Sequence, residues 1–175
     1  MSDGNVISGY AVRFNSPTVI GGQFREQVAP GAFSKALNGG KDIVALLAHD
    51  DGRVLGRVSA GTLKLRTDSV GLWFEATVDP STPSGQEALG TIGRGDVKGM
   101  SFGFVIRAEE WQEDDHNLPL RTLTDVDLQE VSAVAFPAYP TTSVGIARAA
   151  SNDLAARRRI AVRRALMEQK IRGIR

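Results

Sequence analysis

Short segments in which apolar and polar residues alternate recur along the chain, with turn residues between them. The clearest is GMSFGF, where Met100, Phe102 and Phe104 fall on one side of an extended strand. Further strands are predicted over residues 6–14, 42–49, 53–59, 63–67, 72–78 and 124–136. Only two or three helices are expected between them. The pattern predicts a β-rich α+β fold, a barrel or sandwich with a few peripheral helices.

Turn and cap residues place the connections between these elements. Pro30 and Gly31 introduce a short helix that ends at two glycines, and a capping serine precedes a second helix of about two turns within residues 81–95. Asp50, Asp51 and Gly52 predict the turn of a hairpin with a histidine at its tip. The acidic stretch 109–117 is expected to be flexible.

Length and composition limit the classes of protein to consider. A chain of 175 residues with 42% apolar and 23% charged residues predicts one globular domain. It has no apolar run near the roughly 20 residues that span a bilayer. The first residues, MSDGNVISGY, do not resemble a secretory signal. We therefore expect an intracellular protein that does not act at a membrane.

Charge is distributed unevenly along the chain. Residues 151–175 have a net charge of +6, so the preceding 150 residues have −5 within the total of +1. This division predicts a folded body over 1–148 and a basic helical tail over 149–175. The tail could dock on an acidic partner, bind nucleic acid, pack on the body or remain a solvated helix. Because a phosphate-binding protein would have basic residues on the body too, nucleic acid is not the expected partner.

The absence of cysteine restricts the available chemistry. Covalent catalysis would require a hydroxyl or a carboxylate as nucleophile. The two histidines, His49 and His116, are not spaced as zinc ligands, and the paired aspartates are better explained as turn and loop residues. We therefore expect neither a metal nor another cofactor.

Three residues have unusual positions on the predicted strands. Ser101 lies between two glycines, which leaves its hydroxyl in a clearing that a side chain or an extended peptide could approach. His49 lies at a hairpin tip, where a histidine often only caps a backbone carbonyl. Strict alternation puts Glu130 on the apolar face of the last predicted strand, together with Val126, Leu128, Ser132, Val134 and Phe136. Glu130 therefore needs a partner such as an arginine, a backbone nest or a histidine, unless a bulge turns it outward.

Together these residues form a chemically complete set. Ser101 supplies a hydroxyl nucleophile, His49 an imidazole that can accept its proton near neutral pH, and Glu130 an anion to orient the imidazole. His116 is the weaker candidate for the imidazole, because the acidic stretch around it would leave it hydrated and mobile.

Four segments in order resemble the prohead protease family of tailed bacteriophages. They are VAPGAF, LLAHDDGRVLGR, GMSFGF and LQEVSAVAFPAYPTT. These proteases mature capsids and are similar in fold to the herpesvirus assemblins. The resemblance implies an assemblin-like β-barrel serine endopeptidase with Ser101 as nucleophile and His49 as general base. Assemblins use a second histidine as the third member, whereas this chain offers Glu130 on the corresponding strand.

The resemblance also implies partners and a location. Substrates would be the scaffold, or the scaffolding segment of the major capsid protein, and the protease itself, inside a prohead in the host cytoplasm. Assemblins are activated by dimerisation, which makes a homodimer a further expectation. They build the oxyanion site with an arginine pair that SAVAFPAYP lacks, so backbone N–H groups within 138–142 or an ordered water are the candidate donors here.

Two other classes of function remain open. A noncatalytic capsid-assembly or scaffold-binding protein would keep the barrel and act through its basic C-terminal helix. A Ser-His esterase is disfavoured, because the chain has no G-x-S-x-G elbow and Ser101 lies on a strand.

Overall fold

The computed structural model describes residues 4–114 and 118–146. Within these ranges the chain forms ten strands and two helices. In chain order they are β1 (Val6–Arg13), β2 (Thr18–Ile20), β3 (Phe24–Val28), α1 (Ser34–Asn38), β4 (Val44–Leu47), β5 (Asp50–Arg57), β6 (Leu63–Thr67), β7 (Gly71–Thr77), α2 (Pro83–Arg94), β8 (Gly99–Gln112), β9 (Leu120–Val134) and β10 (Gly145–Ile146). This content confirms the β-rich α+β class. His116, the boundary after residue 148 and the predicted basic tail lie outside the described residues.

The strands form two hydrogen-bonded sheets. One has the order β10-β1-β7-β6, and all its pairs are antiparallel. The other has the order β2-β3-β9-β4-β5, with β8 also paired to β9. Among the described residues neither sheet closes on itself, so the assemblin-like barrel stays a prediction.

Strand β9 organises the second sheet because both of its edges are paired. Strand β8 runs antiparallel along almost its whole length. On the other edge, β3 pairs parallel with residues 120–123, and β4 pairs parallel with residues 130–133. Residues carried by β4 and β8 therefore flank the end of β9 from opposite sides.

One apolar cluster fills the space between the sheets. Its fully buried members include Ile7 and Phe74 from the first sheet and Leu123 and Val131 from the second. Phe33, just before α1, packs edge-on against Phe102 of β8 with ring centroids 6.0 Å apart. No helix in the described part of the chain has the length and apolar character needed to cross a bilayer.

Several local predictions need correction. The N-cap of α2 is Thr82, whose hydroxyl accepts a hydrogen bond from the Gly85 N–H, and not a serine; the helix has 12 residues rather than two turns. Residues 109–112, the first part of the acidic stretch that was expected to be flexible, instead continue strand β8. They remain extended because Trp111 packs edge-on against Phe24 and the Arg121 guanidinium lies over both rings.

A buried charged cluster ties the segment after β9 to the sheet. Glu26 of β3 is only 3% exposed, and it accepts hydrogen bonds from the Tyr139 hydroxyl and the Arg121 guanidinium. Burial first, and the bond to Glu26 second, raise the pKa of Tyr139 above its usual range. Tyr139 is therefore a hydrogen-bond donor at every pH at which the protein would be studied.

Replacing Tyr139 by phenylalanine should destabilise the fold. The Tyr139→Phe variant leaves the buried Glu26 carboxylate with Arg121 alone, so we expect the free energy of unfolding to fall by about 1–3 kcal/mol in urea titrations. Tyr10→Phe is the matched control, because the Tyr10 hydroxyl bonds Asp68 at 2.8 Å in a more exposed place. Equal losses from the two variants would contradict the structural role given to the buried cluster.

Candidate active site

Ser101 lies on β8 as alternation predicts. Met100 and Phe102 on either side of it are buried in the core, while Ser101 is partly exposed on the opposite face. Its register partner on β9 is Ser132. Within the described part of the chain, the Ser101 hydroxyl makes no hydrogen bond.

The glycines around Ser101 make room for groups of the protein itself. A Cβ atom at Gly103 would lie 2.5 Å from Oε1 of Glu130, and one at Gly99 would lie 2.5 Å from Cγ of Pro137. Both separations are far below van der Waals contact. The two glycines do leave space beside Ser101, as predicted. The Glu130 side chain fills this space at Gly103, and Pro137 fills it at Gly99.

A β-bulge at Gln129 sets the direction of the Glu130 side chain. Gly103 pairs with Glu130, and the next β8 residue, Phe104, pairs with Leu128, so Gln129 has no partner. One extra residue reverses the alternation beyond it. Glu130 therefore leaves the apolar face that strict alternation predicted and lies on the face of the sheet that presents Ser101.

The same bulge changes which later residues of β9 enter the core. Val131 and Ala133 belong to the core cluster, whereas alternation had assigned Ser132, Val134 and Phe136 to that face. Ser132 and Val134 are also buried, but on the opposite face of the strand. Phe136, beyond the end of β9, is 95% exposed. Its assignment to the apolar face was wrong, because the prediction assumed an uninterrupted strand.

His49 lies in the tight turn between β4 and β5. Leu47 pairs with Asp50, and the two residues between them, Ala48 and His49, both have φ of 58°. Positive φ at both central positions is typical of a two-residue hairpin turn. The Ala48 N–H donates to the Ala133 carbonyl at 2.9 Å, which fixes the turn against β9.

The hairpin tip was thus predicted correctly, but its turn residues were not. Asp50, Asp51 and Gly52 belong to β5, where the pairing is irregular and the Asp50 carboxylate accepts from the Gly52 N–H at 2.9 Å. The bond between Asp50 and Gly52 is a local contact typical of turn residues, but it lies after the two residues that form the hairpin turn. His49 is consequently a central turn residue and not the last residue of a strand.

His49 and Glu130 form a direct pair. Nδ1 of His49 lies 2.7 Å from Oε1 of Glu130, with 46% of the His49 side chain and 13% of the Glu130 side chain exposed. An ionised carboxylate only accepts hydrogen bonds, so this contact fits the tautomer of a neutral imidazole that has its proton on Nδ1 and leaves Nε2 unprotonated.

Ser132 is the residue of this site that the sequence analysis missed. It is fully buried, donates to Oε2 of Glu130 at 2.5 Å, and accepts from the backbone N–H of His49 at 3.2 Å. The available signal was a serine two residues after Glu130 in an otherwise apolar run, because a buried hydroxyl needs partners. Alternation assigned it to the core and concealed that signal.

The three predicted residues thus lie in one region, although not all of them touch. His49 and Glu130 are hydrogen bonded to each other, and Ser132 is hydrogen bonded to both of them. Ser101 lies directly opposite Ser132 on the neighbouring strand β8. Side chains directly opposite on paired strands have Cβ atoms about 4.5–5.5 Å apart. The hydrogen bond between Ser101 and His49 is not formed in this structure; such bonds often tighten only when substrate binds.

The segment 137–142 packs beside the residues that precede Ser101. The Thr142 hydroxyl accepts from the Met100 N–H at 2.9 Å and lies 2.7 Å from the Met100 carbonyl. The Thr142 N–H itself donates to the Tyr139 carbonyl. The N–H groups of Ala138, Tyr139 and Thr141 donate to none of the described residues. They are the remaining backbone candidates for an oxyanion site.

A charged pocket lies further along β8 and β9. It has a volume of about 530 Å³ and is lined by residues that include Lys35, Lys41, Arg107, Asp125 and Asp127. Hydrogen bonds from Lys41 and then Arg107 lower the pKa of Asp127. Both carboxylates are paired with cations, and none of the lining residues has a hydroxyl or an imidazole. Across residues 4–114 and 118–146, no cluster of three or more histidine and acidic side chains could hold a metal ion.

One comparison with known proteins agrees with the resemblance of the four segments, and another found nothing. No curated protein matches the chain. A family match covers residues 1–156, which is most of the sequence and includes every residue of the site. The family consists of the caudovirus prohead serine proteases, and this chain belongs to it.

Proposed function

We propose that this protein is the serine endopeptidase that cleaves the scaffold, or the scaffolding segment of the major capsid protein, during prohead maturation, and that it also cleaves itself. The observation that carries the proposal is the 2.7 Å hydrogen bond between His49 and Glu130, on the face of the sheet that presents Ser101. Ser101 is the nucleophile, His49 the general base and Glu130 the residue that orients the imidazole.

The chemistry follows from the protonation of the histidine. With Nδ1–H bound to Glu130, Nε2 accepts the proton of Ser101 as its oxygen attacks the scissile carbonyl carbon. The imidazolium then donates this proton to the leaving amine, and the C–N bond breaks to give an acyl-enzyme. Water, activated by the same histidine, hydrolyses the ester and restores Ser101. Glu130 remains ionised and stabilises the imidazolium in both steps.

Two parts of the site would act on the substrate. The free backbone N–H groups of the segment 137–142 are candidates to stabilise the oxyanion, since this segment packs against residues 99–100. A substrate segment in extended conformation would lie near Ser101 on β8. The substrate does not approach the backbone at Gly99 and Gly103, because Pro137 and Glu130 fill the space above these glycines.

The reaction would take place inside the prohead in the host cytoplasm, and dimerisation would regulate it as in assemblins.

Replacing the nucleophile distinguishes this proposal from a noncatalytic assembly role. Ser101→Ala should abolish processing of the cognate scaffold or capsid protein while incorporation into proheads continues, as followed by mass spectrometry of the products. Ser34→Ala is a suitable control, because Ser34 is an exposed serine on α1. Cleavage by Ser101→Ala at the wild-type rate would remove Ser101 from the mechanism.

Replacing the carboxylate tests the third member. In Glu130→Gln the amide nitrogen must face either Ser132 or His49, and the second arrangement favours the wrong tautomer of the ring. We expect kcat to fall by about 10²- to 10⁴-fold with the fold retained, measured by initial rates and circular dichroism. Glu75→Gln, which removes a charge paired with Lys64 at the surface, should leave the rate unchanged. Wild-type turnover by Glu130→Gln would mean that Ser101 and His49 act as a dyad.

A methyl group at Gly103 should disable the site without touching a titratable residue. In Gly103→Ala the new Cβ, 2.5 Å from Oε1, would displace the Glu130 carboxylate from His49, so we expect kcat to fall at least about tenfold. Gly90→Ala on α2 is the matched control, because nothing lies within 4 Å of its Cβ position. This control should keep full activity and gain up to about 1 kcal/mol of stability. Full activity in Gly103→Ala would show that the carboxylate can move without consequence.

A further inference from the structure

Ser132 is fully buried, and its hydroxyl has two partners that both belong to the proposed catalytic pair. It donates to Oε2 of Glu130 at 2.5 Å and accepts from the backbone N–H of His49 at 3.2 Å. Its neighbours on β9, Val131 and Ala133, are buried apolar residues of the core. A hydroxyl at a fully buried position is costly unless it is hydrogen bonded, and here it is bonded twice.

These contacts close a ring of three hydrogen bonds. The backbone N–H of His49 donates to Ser132, Ser132 donates to one oxygen of Glu130, and the other oxygen accepts from Nδ1–H of His49. The ring joins the main chain and the side chain of His49 to a single carboxylate. A carboxylate bonded at both oxygens cannot rotate about its last torsion without breaking one of these bonds.

We propose that Ser132 is a positioning residue of this protease, which locks the Glu130 carboxylate and thereby keeps His49 in the tautomer with Nδ1 protonated. This inference rests on the proposed function of His49 and Glu130. The Ser132 hydroxyl suits this role because it donates one hydrogen bond and accepts another at the same time. A threonine hydroxyl can do the same, whereas alanine has no such group. Ser132 is not an alternative nucleophile, since it is fully buried and its proton is directed to Glu130, whereas Ser101 is partly exposed and bonds to none of the residues that the structure describes.

Kinetics separate a positioning role from a nucleophilic or a purely structural one. With the purified cognate scaffold protein as substrate, Ser132→Ala should lower kcat by about ten- to a hundredfold and change KM by less than about twofold. Ser132→Thr, which retains the hydroxyl, should recover most of the lost kcat. Thr122→Val is the matched control, because it removes a hydroxyl bonded to Gln27 near the other end of the same strand. It should leave both constants unchanged.

The tautomer of His49 provides a test that does not depend on activity. The sequence contains only two histidines, His49 and His116, so ¹⁵N spectra of the imidazoles can be assigned with a single His49→Gln variant. In the full-length Ser101→Ala background, which prevents self-cleavage, we expect neutral His49 to be protonated at Nδ1. Adding Ser132→Ala should convert it to a mixture with the Nε2–H form, and His116 in the same sample should not change.

The outcomes distinguish the two proposals. If wild-type protein does not cleave the scaffold protein, the proposed function fails, and the ¹⁵N spectra still decide the role of Ser132. If wild type cleaves while Ser132→Ala retains both its kcat and the pure Nδ1–H tautomer, only the positioning role is overturned. If Ser132→Ala loses structure, Ser132→Thr decides: a folded Ser132→Thr with a mixed tautomer would contradict the proposal.

Discussion

The unpaired residue Gln129, next to Glu130 in β9, is the constraint on which the site depends. Without it, the alternation of β9 would turn the Glu130 carboxylate into the apolar core, where ionisation would be expensive. With it, Glu130 and Ser132 share a face with Ser101, and Val131 and Ala133 complete the core. One inserted residue therefore separates the polar chemistry from the hydrophobic packing within five positions of the same strand.

The pairing of β9 on both edges explains why residues distant in sequence meet. Its parallel neighbour β4 ends in the turn that holds His49, and its antiparallel neighbour β8 carries Ser101. A strand between them is the simplest way to bring the proposed base and the proposed nucleophile to one surface from opposite sides. The carboxylate then needs only to belong to that central strand, and two hydrogen-bond donors offset the cost of its partial burial.

The sequence was a good guide to elements and to the type of chemistry, and a poor guide to register. Alternation identified β8, and the hairpin tip at His49 was predicted because strong apolar runs surround it. The bulge was not predictable, since Gln129 has no property that marks it as unpaired, and beyond it the two faces of β9 are exchanged relative to the prediction. Ser132 was overlooked for the same reason. The role that we propose for Ser132 can be inferred only when the partners of its hydroxyl are known.

The composition of GMSFGF can now be explained in physical terms. Its aromatic and methionine side chains face the core, and the serine faces the site, as alternation requires. Gly103, two residues after the serine, provides the space into which the Glu130 side chain extends. Gly99, two residues before the serine, provides the space for Pro137. Glycine is required at these positions because the protein's own groups must approach the backbone closely. The proposed nucleophile on a strand can thus be surrounded by groups from neighbouring segments, without the sharp elbow that exposes the serine of α/β-hydrolases.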